Sequence, residues 1–180
     1  NKPSANEGDG ISPLVVKAGS EKVTIKGSNL DLVKAVVFGG TKLSPSFTVS
    51  DDHFTIVADV PDDAQDGKVI LVAYAKDLIV MSEKELTMKM PVITAIAPNP
   101  VKNGETLTVT GTDLDLISAV TFTGDKAGTI TSSSATKLEI TVPMDAVTGK
   151  VTFTTKSTKS LITSADLNLV KPVISSFTPA

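Results

Sequence analysis

The chain has 180 residues, of which 41% are hydrophobic and 21% charged, a composition typical of soluble domains with packed cores. Its formal net charge is −3 and all 17 basic residues are lysine, which favours neither phosphate nor guanine recognition, so no nucleic-acid partner is predicted. The absence of cysteine excludes disulfides, thiolate nucleophiles and cysteine-ligated zinc.

The chain opens with NKPSANEGDG, whose polar residues predict a flexible tether over residues 1–10. From residue 11 onward, segments rich in Val, Ile, Thr and Phe alternate with short clusters of Gly, Pro, Asn and Asp, as is typical of strands separated by turns. The first unit, residues 11–90, is predicted to contain about seven strands. These are 11–16, 22–27, 34–38, 46–49, 54–60, 68–75 and 84–90.

The pattern of the first unit recurs in the second half of the chain. The segment VTIKGSNLDLVKAVVFGG at 23–40 recurs in similar form as LTVTGTDLDLISAVTFTG at 107–124. A repeat of about 80 residues is too long for a solenoid turn and has the size of a small β-domain. Apolar and polar residues alternate within it, which places one face of each strand in a core. The chain is therefore predicted to be all-β, with two tandem β-sandwiches at 11–90 and 91–171.

The two ends of the second unit carry further information. Pro91 follows Met90 without a Gly/Ser-type spacer, and proline fixes φ, so a semi-rigid connection between the sandwiches is predicted. KPVISSFTPA at the C-terminus has the pattern of MPVITAIAPNP at 90–100. Residues 172–180 are therefore predicted to be the start of a truncated third repeat.

The second unit contains a series of short motifs in a fixed order. They are P-x-I-x-x-I-x-P at 91–98, G-x-x-L-T-V-x-G-T-x-L at 104–114, V-x-F at 120–122, V-P at 142–143 and G-x-V-x-F at 149–153. This series resembles the IPT/TIG domain (immunoglobulin-like, plexin, transcription factor), and residues 11–90 match it less completely. The resemblance implies immunoglobulin-like sandwiches of the early set, joined end to end. Such domains occur in bacterial surface proteins, plexin-type receptors and Rel-type DNA-binding factors; the lack of arginine argues against the last.

Tandem copies behind a polar tether look most like the outer-membrane, lipid-anchored glycan-binding proteins of Bacteroidetes polysaccharide uptake systems. The resemblance implies a non-catalytic, extracellular surface protein whose repeats act as a semi-rigid spacer. Polysaccharide would be bound by a C-terminal domain outside this chain, and an N-terminal lipid anchor, also outside it, would give the only membrane contact. Other outer-membrane uptake or surface proteins are candidate partners. The alternatives are an adhesin or pilus-type protein, and accessory domains of a secreted glycoside hydrolase.

No catalytic residue and no cofactor are predicted. His53 is the only histidine, and it lies beside Asp51 and Asp52 in a predicted turn. A base in a Ser-His-Asp set needs a positioned nucleophile, and no G-x-S-x-G motif occurs in the sequence. His53 is therefore interpreted as a solvated turn residue.

No metal site is predicted either, although one acidic cluster was a candidate for calcium. Asp59, Asp62, Asp63 and Asp66 supply the hard oxygen ligands that calcium prefers, but their spacing is not that of an EF-hand loop. The second unit keeps only Asp145, so a turn between strands is the favoured interpretation. The D-L-D-L steps, which contain Asp31, Asp113 and Asp115, also predict turns, with Leu30 and Leu114 covering the cores.

Few aromatic residues are available for sugar binding, which usually stacks a ring on the apolar face of a pyranose. The chain has no tryptophan, one tyrosine and six phenylalanines. Phe38, Phe122 and Phe153 fall on inward positions of their strands. The two units are therefore predicted to be spacers.

One surface of the first unit departs from this expectation. With Val69 aligned to Val151, the outward positions Ile70, Val72 and Tyr74 correspond to Thr152, Thr154 and Lys156, and outward Val37 corresponds to Thr121. The third and sixth strands of such a sandwich are neighbours, so Val37, Ile70, Val72 and Tyr74 are predicted to share one outer face. β-Propensity alone accounts for such residues; the alternative is a partner-contact patch covered by the N-terminal tether, a neighbouring subunit or another domain.

Overall fold

The computed structural model describes residues 2–7, 10–75 and 78–176, and these form an all-β protein. The described residues contain sixteen strands and two one-turn 3₁₀ helices, Leu30–Leu32 and Leu114–Leu116. In this part of the chain no helix is long and apolar enough to cross a membrane. The chain divides into two compact units between Met90 and Pro91, here called unit 1 and unit 2.

Unit 1 contains two sheets. Four strands form one sheet in the order β1-β3-β7-β6, and five form the other in the order β2-β9-β8-β4-β5. The strands are β1 (Ile11–Ser12), β2 (Val15–Val16), β3 (Lys22–Lys26), β4 (Val33–Gly39), β5 (Lys42–Leu43), β6 (Phe47–Val49), β7 (Thr55–Asp59), β8 (Gln65–Ala73) and β9 (Ile79–Met88). The predicted strand 11–16 is two short strands on different sheets, because Pro13 between them cannot donate to a ladder.

In unit 2 a single sheet of seven strands has the order β10-β11-β14-β13-β12-β15-β16. The strands are β10 (Val92–Ala97), β11 (Thr106–Thr112), β12 (Ile117–Phe122), β13 (Lys126–Ser133), β14 (Lys137–Thr141), β15 (Val151–Thr155) and β16 (Ser160–Ile162). The long strand β13 joins the two halves, since it pairs with β12 through Lys126–Gly128 and with β14 from Thr129 onward. The sheet therefore wraps around its core and leaves β10 and β16 as its two edges.

Each unit has its own hydrophobic core, built from the alternating residues of its strands. Phe38, Phe122 and Phe153 are buried at these inward positions, as predicted. Leu30 and Leu114 are also fully buried, each at the start of its 3₁₀ helix. Burial of these large side chains is the main source of stability in each unit.

The prediction of a flexible tether over residues 1–10 is wrong for the described residues 2–7. Ala5 is 1% exposed and belongs to the core of unit 1. The backbone N–H of Ser4 donates to the oxygen of Ser28, and that of Glu7 donates to the oxygen of Lys26. Polar composition was misleading because this segment is held by backbone bonds, which are independent of side-chain polarity.

The segment Lys2–Glu7 occupies the place that β10 has in unit 2. Ser4 pairs with Ser28 just as Val92 pairs with Thr112. A Cβ added to Gly27 would lie 1.7 Å from the Ser4 oxygen, and one added to the equivalent Gly111 would lie 1.9 Å from the Val92 oxygen. Both glycines are thus required by the close approach of a first strand.

Residues 172–176 lie at the predicted start of a third repeat. They form no strand, and Val173 and Ile174 are largely exposed. The rest of that segment, 177–180, lies outside the described residues, so a third repeat stays a prediction.

Candidate functional site: an apolar sheet face on unit 1

The outer face of the five-stranded sheet of unit 1 carries a row of apolar side chains across four strands. Val37 pairs with Leu43 on one side and with Ile70 on the other, and Ile70 pairs with Met81. Directly paired residues of antiparallel strands lie on the same face of the sheet. Leu43, Val37, Ile70 and Met81 therefore form one continuous cross-strand row.

A second apolar row runs beside the first one. Ala35 pairs with Val72, and Val72 pairs with Ile79. These residues are two positions along their strands from Val37, Ile70 and Met81, and residues i and i+2 of a strand lie on the same face. Together the two rows form what we call the apolar face.

The centre of the apolar face is half-buried and its margins are exposed. Val69, Leu71 and Ala73 of β8 are buried in the core, while the intervening Ile70 and Val72 are half-buried. The exposed side chains lie at the ends of the rows and just after β8. Their exposed fractions are 63% for Leu43, 71% for Tyr74, 56% for Ile79 and 55% for Met81.

The sequence pattern predicts Val37, Ile70, Val72 and Tyr74 on this face and does not place Leu43, Ile79 and Met81 there. The predicted strands leave out Lys42–Leu43 and place the last strand at 84–90, whereas β9 already begins at Ile79, so these three partner residues lie outside the predicted strands. The one available signal for this earlier start of β9 is the short uninterrupted apolar run Ile79-Val80-Met81, which by itself does not assign its faces.

Unit 2 has the same face with mostly polar side chains. Thr121 pairs with Ala127 and with Thr152, and Thr152 pairs with Ile162. In the second row Thr154 pairs with Ala119 and with Ser160. The fold therefore does not require apolar residues on this face, and unit 2 supplies a matched polar control.

The N-terminal segment, one proposed cover for the patch, does not lie over the apolar face. Asn6 contacts the edge of β9 instead: its side-chain amide donates to the Met81 backbone oxygen at 3.3 Å and accepts from the Glu83 N–H at 2.7 Å. Met81 and Ile79 remain more than half exposed. Within the described residues, nothing covers the margins of the face.

His53 lies in the turn before β7, where its φ of 62° is in the left-handed region. Its Nδ1 is 3.6 Å from Asp31 Oδ1, and both side chains are largely exposed. The neighbouring Asp52 accepts hydrogen bonds from the Ser50 hydroxyl and from the Phe54 N–H. These bonds hold the pKa of Asp52 below its ordinary value, with the Ser50 bond the larger cause.

The acidic residues of DVPDDAQDG are directed toward separate partners. Asp59 pairs with Lys22 at 2.7 Å and Asp63 with Lys42 at 2.6 Å. Asp66 accepts from the Met88 N–H at 2.6 Å. Among the described residues no three acidic or imidazole side chains are grouped so as to hold a metal ion.

The comparable lysine–carboxylate pair in unit 2 is Lys126–Asp145, at 2.7 Å. The hydrogen bond between them is the main reason that the pKa of Asp145 is lowered and that of Lys126 is raised. Both side chains lie at the surface, so the pair organises a turn rather than a reactive site.

The sandwich geometry, the repeated glycine approach and the motif order can now be set beside known proteins. Residues 91–169 match the model of the IPT/TIG domain. Unit 2 is an IPT/TIG domain. The match begins at Pro91, so unit 1 lies outside it, and it indicates no enzyme family.

A solved structure aligns with most of the chain, across unit 1 and unit 2. The surface glycan-binding protein PbSGBP-B from Prevotella bryantii aligns with a TM-score of 0.51 and 18% identity over 93% of this chain. The chain spans 42% of the length of that protein. This likeness shows a shared fold over both units.

Two further structures align less closely. The extracellular region of plexin A4 gives a TM-score of 0.45 at 21% identity, covering 94% of this chain and 18% of its own. The Bacteroides ovatus surface glycan-binding protein of a mixed-linkage glucan locus gives 0.39 at 19% identity, covering 93% of this chain and 46% of its own. The comparison with curated proteins finds no match to this chain.

Proposed function

We propose that this chain is part of a non-catalytic cell-surface protein in which the two units act as a spacer that displays a polysaccharide-binding domain lying outside them. The fold shared with the Prevotella bryantii surface glycan-binding protein supports a carbohydrate-related role at the cell surface. On this proposal a lipid anchor precedes the units, and polysaccharide and other surface uptake proteins are the partners of the whole protein.

The distribution of aromatic side chains is the observation that carries the spacer role. Sugar-binding surfaces need exposed rings that can stack on a pyranose. Phe38, Phe122 and Phe153 are buried in the cores. Among the described residues the only exposed aromatic side chains are Phe54, with an exposed fraction of 56%, and Tyr74, with 71%. Both adjoin the Leu30–Leu32 helix: the Leu30 N–H donates to the oxygen of His53, the neighbour of Phe54, and the Tyr74 N–H donates to the oxygen of Leu32.

Affinity electrophoresis of the full chain in gels containing plant and host polysaccharides tests the spacer role. We expect migration equal to that in a gel without polysaccharide. Retention by any of these polymers would contradict the proposal. The double variant Phe54→Ala/Tyr74→Ala would then show whether the two exposed rings are responsible.

A spacer also needs a stiff connection, and Pro91 favours one because it fixes φ directly after Met90. Small-angle scattering of the full chain should then fit one narrow distribution of interatomic distances. A broad ensemble, as given by a flexible hinge, would count against the spacer. Substituting Pro91→Gly provides the flexible reference.

The apolar face favours a second candidate function, contact with another protein. We propose a second copy of this chain as its occupant, because closed two-fold dimers are the commonest assemblies and the face is self-complementary. At one end of the face Lys68 of β8 pairs directly with Glu85 of β9. In a two-fold dimer the lysine of each copy could therefore lie opposite the glutamate of the other. The largest apolar patch of a typical monomer covers roughly 300–600 Å², which is less than the ~800 Å² per partner of a standard interface. A contact through a face of that ordinary size would be weak.

A further inference from the structure

A groove of about 540 Å³ opens in unit 2 between the two edges of its sheet. One wall is β10, with Ile93, Thr94 and Ile96, and the other is the segment around Ile162 and Ser164 that continues β16. Ile93 and Ile96 also pack on the core, so the floor of the groove is apolar and fixed. The volume is within the usual range of ligand-binding clefts.

Unit 1 closes the equivalent gap with a side-chain amide. The Asn6 carboxamide donates to the backbone oxygen of Met81 and accepts from the N–H of Glu83, two residues further along β9. Thr94 takes the place of Asn6, because it follows Val92 as Asn6 follows Ser4. The Thr94 hydroxyl donates to the Thr110 oxygen of the neighbouring strand and so does not bridge the gap.

The last strand segment of unit 2 is bridged in the same manner at two other steps. The Asn99 carboxamide donates to the Asp166 oxygen at 3.2 Å and accepts from the Asn168 N–H at 2.8 Å. The backbone of Val101 makes the next step: its N–H donates to the Asn168 oxygen and its oxygen accepts from the Val170 N–H. In every case one residue, through its side-chain amide or its own backbone N–H and C=O, donates to an oxygen at position i and accepts from the N–H at i+2, which is the pattern of a parallel strand.

The step from Ile162 to Ser164 is where this pattern is left open in unit 2. The Val151 N–H donates to the Thr163 hydroxyl as the Val69 N–H donates to that of Ser82, so Ile162 and Ser164 correspond to Met81 and Glu83. The Thr163 N–H donates to the Val151 oxygen. Backbone groups of successive strand residues point to opposite sides, so the Ile162 oxygen and the Ser164 N–H point toward β10.

We propose that this groove binds an extended peptide segment of a partner protein, which runs parallel to β16 and bridges the Ile162 oxygen and the Ser164 N–H. One residue of the peptide donates its own N–H to the Ile162 oxygen and accepts at its own C=O from the Ser164 N–H, as Val101 does at its step and as the side-chain amides of Asn6 and Asn99 do at theirs. Strand addition to a sheet edge is an established mode of peptide recognition. This proposal does not depend on the spacer role, because it concerns a protein segment and not a polysaccharide.

The lining of the groove favours a peptide over a sugar. None of the described residues that line it is aromatic, so it offers no stacking surface for a pyranose ring. Its charged member, Asp166, is paired with Lys150 at 3.1 Å, and the Lys150 ammonium also donates to the Ser164 oxygen. Recognition therefore rests on backbone hydrogen bonds and apolar contacts.

An NMR titration of the ¹⁵N-labelled full chain tests the proposal. The probe is an acetylated, amidated peptide with the sequence of residues 13–18, PLVVKA, because Val15 and Val16 pair in parallel with β9 in unit 1. We expect saturable shifts of the Ser164 amide signal. Signals that remain unchanged up to the solubility limit of the peptide would overturn the proposal.

Variants of Ser164 and Thr94 separate the inferred contact from nonspecific binding. Ser164→Pro removes the backbone N–H that would bind the peptide, and proline is tolerated at the edge of a sheet. The loss of this one hydrogen bond should weaken binding about tenfold. Ser164→Ala keeps that N–H and should bind as the wild type does. Thr94→Asn should also weaken binding, since it adds the amide that closes the gap in unit 1.

Two results contradict the proposal even if the peptide binds. Equal affinity of the wild type and Ser164→Pro, followed through shifts of the groove residues, would show that the Ser164 N–H makes no contact. Saturation of the same signals by N-acetylglucosamine oligomers and not by the peptide would show that the groove recognises an acetamido sugar.

Discussion

Unit 1 and unit 2 follow the same repeat, yet they differ at their surfaces and agree in their cores. Leu30 and Leu114 are both fully buried, and Gly27 and Gly111 both lie under a first strand. The outer face, in contrast, is apolar in unit 1 and rich in threonine in unit 2. The edge gap is closed by Asn6 in unit 1 and open in unit 2.

This comparison distinguishes what the fold needs from what it tolerates. A feature present in both units is required by packing, because each unit builds its own core. A feature present in one unit alone is not required by the sandwich, and is therefore a candidate for function. The apolar face and the open groove are two such features, and they lie on different units.

The largest effect is expected from the shared leucines. Leu30→Ala and Leu114→Ala each remove a side chain of 0% exposure and leave a cavity, so each should cost about 2–5 kcal/mol in the unit that carries it. Hydrogen exchange followed by mass spectrometry resolves the two units within the full chain. The volume-conserving variants Leu30→Met and Leu114→Met should cost less than about 1.5 kcal/mol. Loss of protection in both units from one substitution would show that they do not fold independently.

Substitution of the glycines that lie under the first strands, Gly27 and Gly111, should destabilise the two units by different amounts. Alanine at either position would clash with a backbone oxygen, at Ser4 in unit 1 and at Val92 in unit 2. Gly111→Ala should cost about 2–3 kcal/mol, because β10 also packs Ile93 and Ile96 on the core.

The equivalent change in unit 1 should cost less. The segment Lys2–Glu7 buries only two small residues, Pro3 and Ala5, so it can detach at lower cost and relieve the clash, and Gly27→Ala should cost about 1 kcal/mol. Urea unfolding monitored by unit-specific NMR signals measures both values. Equal costs in the two units would mean that Lys2–Glu7 is held as firmly as β10.

The apolar face should affect association more than stability. Replacing Ile70, Val72 and Tyr74 by the Thr, Thr and Lys of unit 2 should leave the free energy of unfolding within about 0.5 kcal/mol of the wild type. Sedimentation velocity at rising concentration should show weak self-association of the wild type, and at least about tenfold weaker association of this variant.

The reciprocal change provides the control for that experiment. Thr152→Ile combined with Thr154→Val gives unit 2 part of the apolar face, and should strengthen self-association. A wild-type chain that stays monomeric at several hundred micromolar, which is a concentration on the order of a weak Kd, would remove the second copy as the occupant.

The fold was predictable because two patterns can be read directly from the order of the residues. One is the repeat of about 80 residues, and the other is the two-residue alternation within the strands. The alternation of Val151-Thr152-Phe153-Thr154 assigns the faces of β15, and the repeat extends that assignment to the uniformly apolar Val69–Val72 stretch of β8. The cross-strand partners Leu43 and Met81 were not predicted, because β5 has only two residues and β9 begins at Ile79, well before the predicted strand at 84–90.

The N-terminal segment and the groove were missed for a related reason. Lys2–Glu7 has almost no apolar residues, and its position depends on backbone bonds to Ser28 and Lys26 that leave no pattern in the side chains. The groove depends on a single difference, Thr94 in the place of Asn6, which becomes visible only when Ser4 is registered on Val92 through the pairing of the strands.

The smallest expected effect concerns the turns that precede β7 and β14. In unit 1 the Asp52 carboxylate accepts from the Ser50 hydroxyl and the Phe54 N–H, whereas in unit 2 the Ser134 hydroxyl alone accepts from the Lys137 N–H. The Ser50 bond and then the Phe54 bond lower the pKa of Asp52. A lowered folded-state pKa adds stability that is fully present above the ordinary aspartate value of about 3.9 and is lost as the pH falls through the folded-state value.

Acid should therefore loosen the unit 1 turn while the unit 2 turn is unaffected. The Phe54 amide signal should titrate in NMR spectra with a midpoint below the ordinary aspartate value, and the Lys137 amide signal should not follow it. Asp52→Asn removes the titrating group and should abolish the Phe54 transition, while Asp51→Asn, one residue away, should preserve it. A Phe54 midpoint at or above the ordinary value would mean that the Ser50 and Phe54 bonds do not favour the charged carboxylate.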